Sequence, residues 1–506
     1  MKVIIQAGGL GTRMLSLTEN KPKTLIPVSN KPILFNIFDQ FRSQADGFIV
    51  IGDYKYEVLD RYLLTFAKNE NYILIHSTTK GNVSGIKKAL SLISDNEPIM
   101  LIWSDIIPPK DFVYDKDFSG CQIGVSDFAC SWSVQNNKLV HEKSDKNGVI
   151  GLYIFDKKSR LGTLPEEGSF TTWLSEQSFP IKALKIDNCI DIGTFSSYQK
   201  LDTNIDRCRP YNHIEIKGNY VIKTGLTDEA KTFIKREVSW YKLALGLGFK
   251  NIPSLINEAP MTISRIRGKN IFLSNLDEHG KELSLNRMID ALCHLHSLAK
   301  SDANSWDLYT EYFTKTINRL VSISYAIPFS DKEYIYINGK KCINVLMKQS
   351  ELREAVLNTL METHYTLYHG DCQLTNTMLD ETGNIYFIDP RGYFGKTKNL
   401  GDVRYDWAKV YYAINGNFDQ FNVKNFTLHI EEDKVEYSIG SGQWEFLTSN
   451  LLDRIPNGEG TEKEIKLIHA IIWLSLASHA WEDFDSMCVA YYNGLRLFND
   501  WLEEYN

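Results

Sequence analysis

From residue 1 to about residue 203 the chain alternates short apolar runs with longer stretches whose apolar positions recur at helical spacing. Val3-Ile4-Ile5 precedes a helical pattern from about Ile33 to Ser43, and Phe48-Ile49-Val50-Ile51 precedes one from Tyr56 to Lys68. Tyr72-Ile73-Leu74-Ile75 precedes a third, from Val83 to Leu92, and Ile99-Met100-Leu101-Ile102 follows it. A short run that is apolar at every position fits a strand covered on both faces, and helices between such strands act as crossovers. The pattern predicts an α/β domain on a mostly parallel sheet with helices on both faces. Two later runs, Val149 to Phe155 and Ile181 to Ile186, read as added strands that cover one end of that sheet.

Around Asp202 to Tyr211 the alternation lapses into a polar segment containing arginine and proline. It divides the chain into a domain at 1–203, a linker at 204–211 and a second domain at 212–506. The second domain opens with a strand, Tyr220-Val221-Ile222-Lys223, and an amphipathic helix from Glu229 to Leu245. From about residue 285 the pattern is mainly helical, rich in Leu, Tyr and Trp. It is interrupted from Leu367 to Phe394 by two short strands that bracket polar residues.

Length supports the division, since 506 residues exceed one ordinary core. The 43% apolar and 24% charged content is that of a folded globular protein. A net charge of −7 and a pI near 5.9 argue against nucleic acid or an anionic membrane as partner. The eight cysteines are scattered with no CxxC pair, as expected of a reduced cytoplasmic protein without a zinc module. No apolar span reaches membrane length, and Met1 to Gln6 reads as a first strand instead of a leader. The expectation is a soluble cytoplasmic enzyme.

Two clusters carry the chemistry. The first is Gly8-Gly9-Leu10-Gly11-Thr12-Arg13, followed by Lys21-Pro22-Lys23. Glycines after a strand let backbone N–H groups approach phosphates closely. Arg13 and Lys23 supply positive charge for an α-phosphate under attack and a departing pyrophosphate. With Thr18 and Pro27 in register, this segment resembles the nucleotidyltransferases that make nucleotide sugars and CDP-alcohols. The resemblance runs to about residue 200 and implies a Rossmann-like fold and a requirement for Mg²⁺ and an NTP. It implies that Gly8, Gly9, Gly11 and Thr12 bind the nucleotide, that Arg13 and Lys23 are catalytic, and that Asp105 and Asp191 hold the metal. It further implies that Lys143 contacts the acceptor's phosphate and that Gly81 lies in a turn near base and sugar. Ser16, Ser104 and Asn82-Val83 depart from the family pattern and leave the base and the acceptor open. Gln6 and the turn after Thr79 are where base contacts are expected.

The second cluster is His369-Gly370-Asp371, then Asn376, then Asp389 after the apolar run Ile385 to Ile388. This order suits phosphoryl transfer. Asp371 orients or accepts the proton of an attacking hydroxyl, and Asn376 and Asp389 hold Mg²⁺ on the ATP phosphates. Lys223 on its strand and Glu237 on the following helix are placed to pair, which would aim the lysine at the phosphates. Residues 212–506 resemble the aminoglycoside phosphotransferase and choline kinase superfamily, which implies a protein-kinase-like, two-lobed α+β domain. The sequence after Asp389 is Pro390-Arg391-Gly392, where choline kinases carry an aromatic residue and a glutamate, and this counts against choline as acceptor. The aromatic groups Trp407 to Tyr412 and Tyr491-Tyr492 read mainly as helix core, and His294 and His296 as structural residues.

A kinase makes a phosphate monoester, and a nucleotidyltransferase consumes one. Joined in one chain, the two predict a bifunctional enzyme that phosphorylates a small sugar or polyol with ATP and couples the product to a second NTP. The nucleotide-activated product would feed surface glycan synthesis. The alternatives are a choline kinase joined to a phosphocholine cytidylyltransferase, acting on an amino-alcohol, or one half that has become regulatory.

Overall fold

The computed structural model describes residues 1–78, 81–128, 130–202 and 212–505. The expected linker at 204–211 lies outside them. The chain forms two compact units, Met1–Asp206 with Glu482–Asp485, and Arg207–Trp481 with Ser486–Asn506.

The first unit is mixed α/β around a nine-stranded sheet. Its centre runs Ile99–Trp103, Lys2–Gln6, Gly47–Gly52, Tyr72–His76, all parallel. Alternate residues divide between the two faces. Ile4, Ile49 and Leu101 share one core with Val83 and Ile86 of helix Val83–Leu90. On the other face, Phe48 meets Phe38 of helix Ile33–Phe41, with ring centroids 4.8 Å apart.

The remaining strands require a correction. Gly148–Phe155 and Ile181–Lys185 do not cover an end of the sheet but continue it. Gly148–Phe155 lies antiparallel between Ile99–Trp103 and Cys121–Ser126, and Ile181–Lys185 pairs parallel with Cys121–Ser126. Every position of Gly148–Phe155 is buried, which a strand achieves only with neighbours on both edges and cover on both faces. The sheet is therefore parallel at its centre and mixed towards this edge.

The second unit begins with an antiparallel sheet in the order Asn212–Lys217, Tyr220–Gly225, Met261–Ser264, Leu255–Glu258. Helix Asp228–Gly246 follows the second of these strands. The Thr227 hydroxyl caps it by accepting from the Ala230 amide at 3.1 Å. Helices Glu278–Ser297, Val403–Ile414 and Glu462–Leu476 build much of the rest, the last opened by a capping box between Thr461 and Glu464. Two three-stranded sheets frame the polar segment. One is Gly268–Asn270, Thr377–Asp380, Ile385–Phe387, and the other is Lys300–Asp302, His364–Leu367, Leu400–Asp402.

A further four-stranded sheet corrects the mainly helical expectation. It runs Lys340–Ile343, Tyr334–Ile337, Lys434–Ile439, Phe426–Ile430. Its first hairpin has a clean period of two: Ile335 and Ile337 are buried, whereas Tyr334 and Tyr336 are exposed. Asn338 and Gly339 form the turn with positive φ at both positions. Among the described residues, no helix is long and apolar enough to cross a membrane.

Candidate functional site

Each unit carries its own group of converging polar side chains. In the first unit, strand Lys2–Gln6 runs into the loop Gly8 to Arg13. Gly11 has φ +64°, and a Cβ there would lie 2.8 Å from Thr18 Cγ2, so glycine is needed both for the backbone and for the close approach. Thr18 closes the loop by donating from its hydroxyl to the Gly11 carbonyl at 3.2 Å. Thr12 and Arg13 start the short helix Thr12–Thr18 and are exposed. Gly8 packs where a Cβ would meet the Asp53 Cβ at 3.0 Å, and Gly9 has open space around it.

Lys23 follows Pro22 at the start of the turn Lys23–Leu25 and is buried. Its ammonium lies 3.1 Å from Asp105 Oδ2. Asp105 stands two residues past strand Ile99–Trp103. The short strands Ile106–Ile107 and Ile190–Asp191 pair antiparallel, and the Ile192 amide donates to the Asp105 carbonyl at 2.8 Å. This pairing sets Asp191 beside Asp105. Burial raises the Asp191 pKa from its ordinary value and Asp105 adds to the rise, while the Gly193 amide at 2.8 Å and the charges of Lys23 and Arg13 oppose it. Two carboxylates forced together in this way form a hard oxygen pair of the kind that holds Mg²⁺ alongside substrate phosphates. Gln6 Oε1 is buried with no hydrogen-bond partner among the described residues, at the strand end that feeds the loop.

The other residues named from the sequence fall elsewhere. Gly81 (φ +95°) bridges to Gly168, whose carbonyl oxygen would sit 2.3 Å from a Cβ at position 81. Thr79 lies outside the described residues. Lys143 is exposed in the loop after strand Lys138–Val140, and among the described residues no hydrogen bond or ion pair joins it to Lys23, Asp105 or Asp191.

In the second unit, Lys223 on strand Tyr220–Gly225 pairs with Glu237 Oε2 at 2.7 Å and with Asp389 Oδ1 at 2.8 Å. Burial opposes its charge, but the two carboxylates together raise its pKa. Asp389 itself has φ +58°, a conformation that Asp tolerates better than bulkier residues. Asp371 is held from two sides. Asn376 Nδ2 donates to Asp371 Oδ2 at 2.8 Å, and Lys409 Nζ lies 2.8 Å from Oδ1. Asn376 and Asp389 are tied through the backbone as well, since the Ile388 amide donates to the Asn376 carbonyl at 2.9 Å. An amide oxygen from Asn376 and a carboxylate from Asp389 are again hard donors suited to Mg²⁺. Among the described residues no three His, Cys, Asp or Glu side chains cluster as a metal site.

Asp406, Glu459 and Lys409, which shape this second group, escaped sequence reasoning, and His296, read there as structural, joins them. Asp406, at the start of helix Val403–Ile414, accepts from the His369 and Gly370 amides at 2.7 and 2.6 Å and so fixes the loop that presents Asp371. His296 bridges Asp406 at 3.2 Å and Glu459 at 3.0 Å, and Trp407 Nε1 also donates to Glu459. Burial disfavours the His296 charge, but hydrogen bonds to the two carboxylates outweigh it and raise the pKa. Lys409 left one signal, a lone lysine within the apolar run Trp407 to Tyr412. Trp407, Tyr411, Tyr412, Tyr491 and Tyr492 are all buried core, and His294 is exposed.

Residues 2–120 match the family model described as nucleotidyl transferase. A D-glycero-alpha-D-manno-heptose 1-phosphate guanylyltransferase of Campylobacter jejuni is 27% identical over 222 residues, covering 39% of this chain and 97% of the relative. A probable glucose-1-phosphate cytidylyltransferase of Bacillus subtilis is 26% identical over 182 residues, covering 35% of this chain and 69% of the relative. Among solved structures, HddC from Yersinia pseudotuberculosis is 24% identical with a TM-score of 0.35, covering 40% of this chain and 97% of its own. The N-terminal part of the chain is thus a nucleotidyltransferase domain with sugar-phosphate nucleotidyltransferases among its homologues, a family that uses NTP substrates and typically Mg²⁺.

Proposed function

We propose that the chain is a bifunctional enzyme in which the second unit phosphorylates a small sugar with ATP and the first couples that phosphate to an NTP, releasing pyrophosphate. The observation that carries this reading is the paired geometry of the second unit, in the same chain as a nucleotidyltransferase domain. Lys223 is gripped by Glu237 and Asp389, and Asp371 is held by Asn376 and Lys409 on a loop whose amides are anchored. In the second unit Asp371 receives or orients the proton of the attacking hydroxyl, and Lys223 steadies the nucleotide phosphates. Asn376 and Asp389 would hold Mg²⁺ there, and Asp105 and Asp191 would hold it in the first unit. Bound in either place, the ion neutralises charge on the phosphates.

In the first unit the Gly8 to Gly11 backbone cradles the triphosphate, and Arg13 and Lys23 stabilise charge as pyrophosphate leaves. Relatives whose names specify heptose 1-phosphate and glucose 1-phosphate favour a sugar 1-phosphate as the shared intermediate. The second unit then phosphorylates an anomeric hydroxyl. The product is a nucleotide-activated sugar suited to surface glycan assembly.

Mass spectrometry of a pooled reaction tests this directly, with ATP, CTP, GTP, UTP, dTTP, Mg²⁺ and free sugars as inputs. A nucleotide-linked sugar is the expected product, and its mass names the base. Asp371→Asn should abolish its formation from free sugar and leave conversion of a supplied sugar 1-phosphate intact. Lys23→Ala should do the reverse and allow the sugar phosphate to accumulate. If either substitution silenced both steps in a folded protein, the two-site reading would be wrong.

A further inference from the structure

Arg391 lies two residues past Asp389 and packs directly on the loop that carries Asp371. Its amide donates to the His369 carbonyl at 2.8 Å, and a Cβ on Gly370 would meet Arg391 Cβ at 2.6 Å. Its guanidinium lies over the rings of Tyr393 (4.8 Å) and Tyr405 (5.3 Å). Tyr405 and Lys409 sit one helical turn apart on helix Val403–Ile414, and Lys409 reaches Asp371 at 2.8 Å. The surroundings of Arg391 are thus continuous with the reacting group of the second unit.

Positive charge is in excess there. Arg391 and Lys315 both pair with the same oxygen of Glu311, and the other oxygen of Glu311 takes the Gly395 amide at 3.2 Å. Arg319, one turn beyond Lys315 on helix Lys315–Ile323, has a neutral partner, the Ser475 hydroxyl at 2.5 Å. Arg236 adds a fourth cation, 4.3 Å from the Tyr393 ring centroid on which Arg391 and Lys315 also converge. The nearby carboxylate of Asp307 is committed to the Lys396 amide and to the amide and hydroxyl of Thr397. Among the described residues, three cations, Arg391, Lys315 and Arg319, therefore share one carboxylate in a partly buried space, with Arg236 beside them on the Tyr393 ring. Such an imbalance is costly unless a ligand supplies the missing anion. Lys315 registers the cost. Its pKa falls to about 7, through burial first and then repulsion from Arg391, despite Glu311.

We propose that Arg391, Lys315 and Arg319, with Arg236 at the rim, form a pocket for an anionic group, a phosphate or a carboxylate, carried by the acceptor whose hydroxyl Asp371 engages. This rests on the kinase reading of the second unit and names its substrate class: an acidic sugar derivative, and neither a neutral sugar nor a quaternary ammonium.

The test uses the full-length protein in two measurements. Calorimetric titration with inorganic phosphate compares the wild type with Lys315→Gln/Arg319→Gln and with the charge-preserving Lys315→Arg/Arg319→Lys. The neutralising pair should weaken phosphate binding about tenfold or more, and the charge-preserving pair should restore most of it. No phosphate binding in the wild type, or equal affinity in the wild type and the neutralised variant, would overturn the pocket whatever the kinase does. ATP consumption is then followed with glucose, glucose 6-phosphate and glucuronate. At least one charged sugar should exceed glucose in kcat/KM by about 100-fold, and the better of the two tells phosphate from carboxylate. Equal or better use of glucose would overturn the substrate class. So would a rise in KM for ATP alone in the neutralised variant. Phosphate binding that depends on the cluster, without ATP consumption by any of the three sugars, would count against the kinase reading and leave the anion pocket standing.

Discussion

Lys409 shows how much one side chain can decide at the second site. It sits on a helix whose other residues are mostly buried and apolar, its ammonium 4.8 Å from the Tyr412 ring centroid and 2.8 Å from Asp371. Burial opposes its charge, yet Asp371 raises its pKa, so the lysine stays protonated beside the carboxylate. A fixed cation at that point balances Asp371, and in the proposed kinase reaction it would stabilise the charge that develops on the transferred phosphoryl group. Lys409→Met keeps the stem and removes the charge. It should lower kcat for ATP-dependent phosphorylation by about 100-fold while KM for ATP moves less than about threefold. Steady-state kinetics on the variant checks this, and an unchanged kcat would make Lys409 a packing residue.

At the level of elements, the parts read most directly from sequence were those set by neighbours along the chain. The parallel strands at the centre of the first unit followed from their runs, and Lys223 and Glu237 lie on a strand and the next helix, 14 residues apart. The frame around Asp371 was not legible, because it is assembled from distant segments. His296 meets Asp406 across 110 residues and Glu459 across 163, and each alone resembles an ordinary helical or loop residue. The hairpin at Asn338-Gly339 was different: its alternation and its turn were both present in the sequence but were outweighed by the helical pattern around them. Helix Glu462–Leu476 carries a consequence of burial that can be measured. His469 is fully enclosed and accepts at Nε2 from Trp473 Nε1 at 2.9 Å, and burial lowers its pKa to about 3. The unfolded chain takes up this proton near pH 6.5 and the folded chain does not, so its contribution to stability is full above about pH 6.5 and is lost as pH falls towards 3. Between about pH 6.5 and 4.5 the loss should reach about 2–3 kcal/mol. His469→Gln keeps an acceptor for Trp473 and should remove that part of the slope in urea unfolding of the second unit. Parallel pH dependences for wild type and variant would rule this origin out.

For the whole molecule, the notable point is that every contact named at either site is made within its own unit. Lys23, Asp105 and Asp191 all belong to the first unit. Lys223, Glu237, Asp371, Asn376, Asp389, Asp406 and Lys409 all belong to the second unit. Each site is thus built from side chains of its own unit, so inactivating one should leave the geometry of the other unchanged. An equimolar mixture of the Asp371→Asn and Lys23→Ala chains should then regain conversion of free sugar to the nucleotide-linked product. The intermediate made by one chain would be used by the other. Because that intermediate must cross solution, the progress curve should show a lag that shortens as total protein rises. Time-resolved product analysis of the mixture at several concentrations measures both. Failure of the mixture, with each variant still active in its own half-reaction, would mean that the sugar phosphate passes between the sites without release.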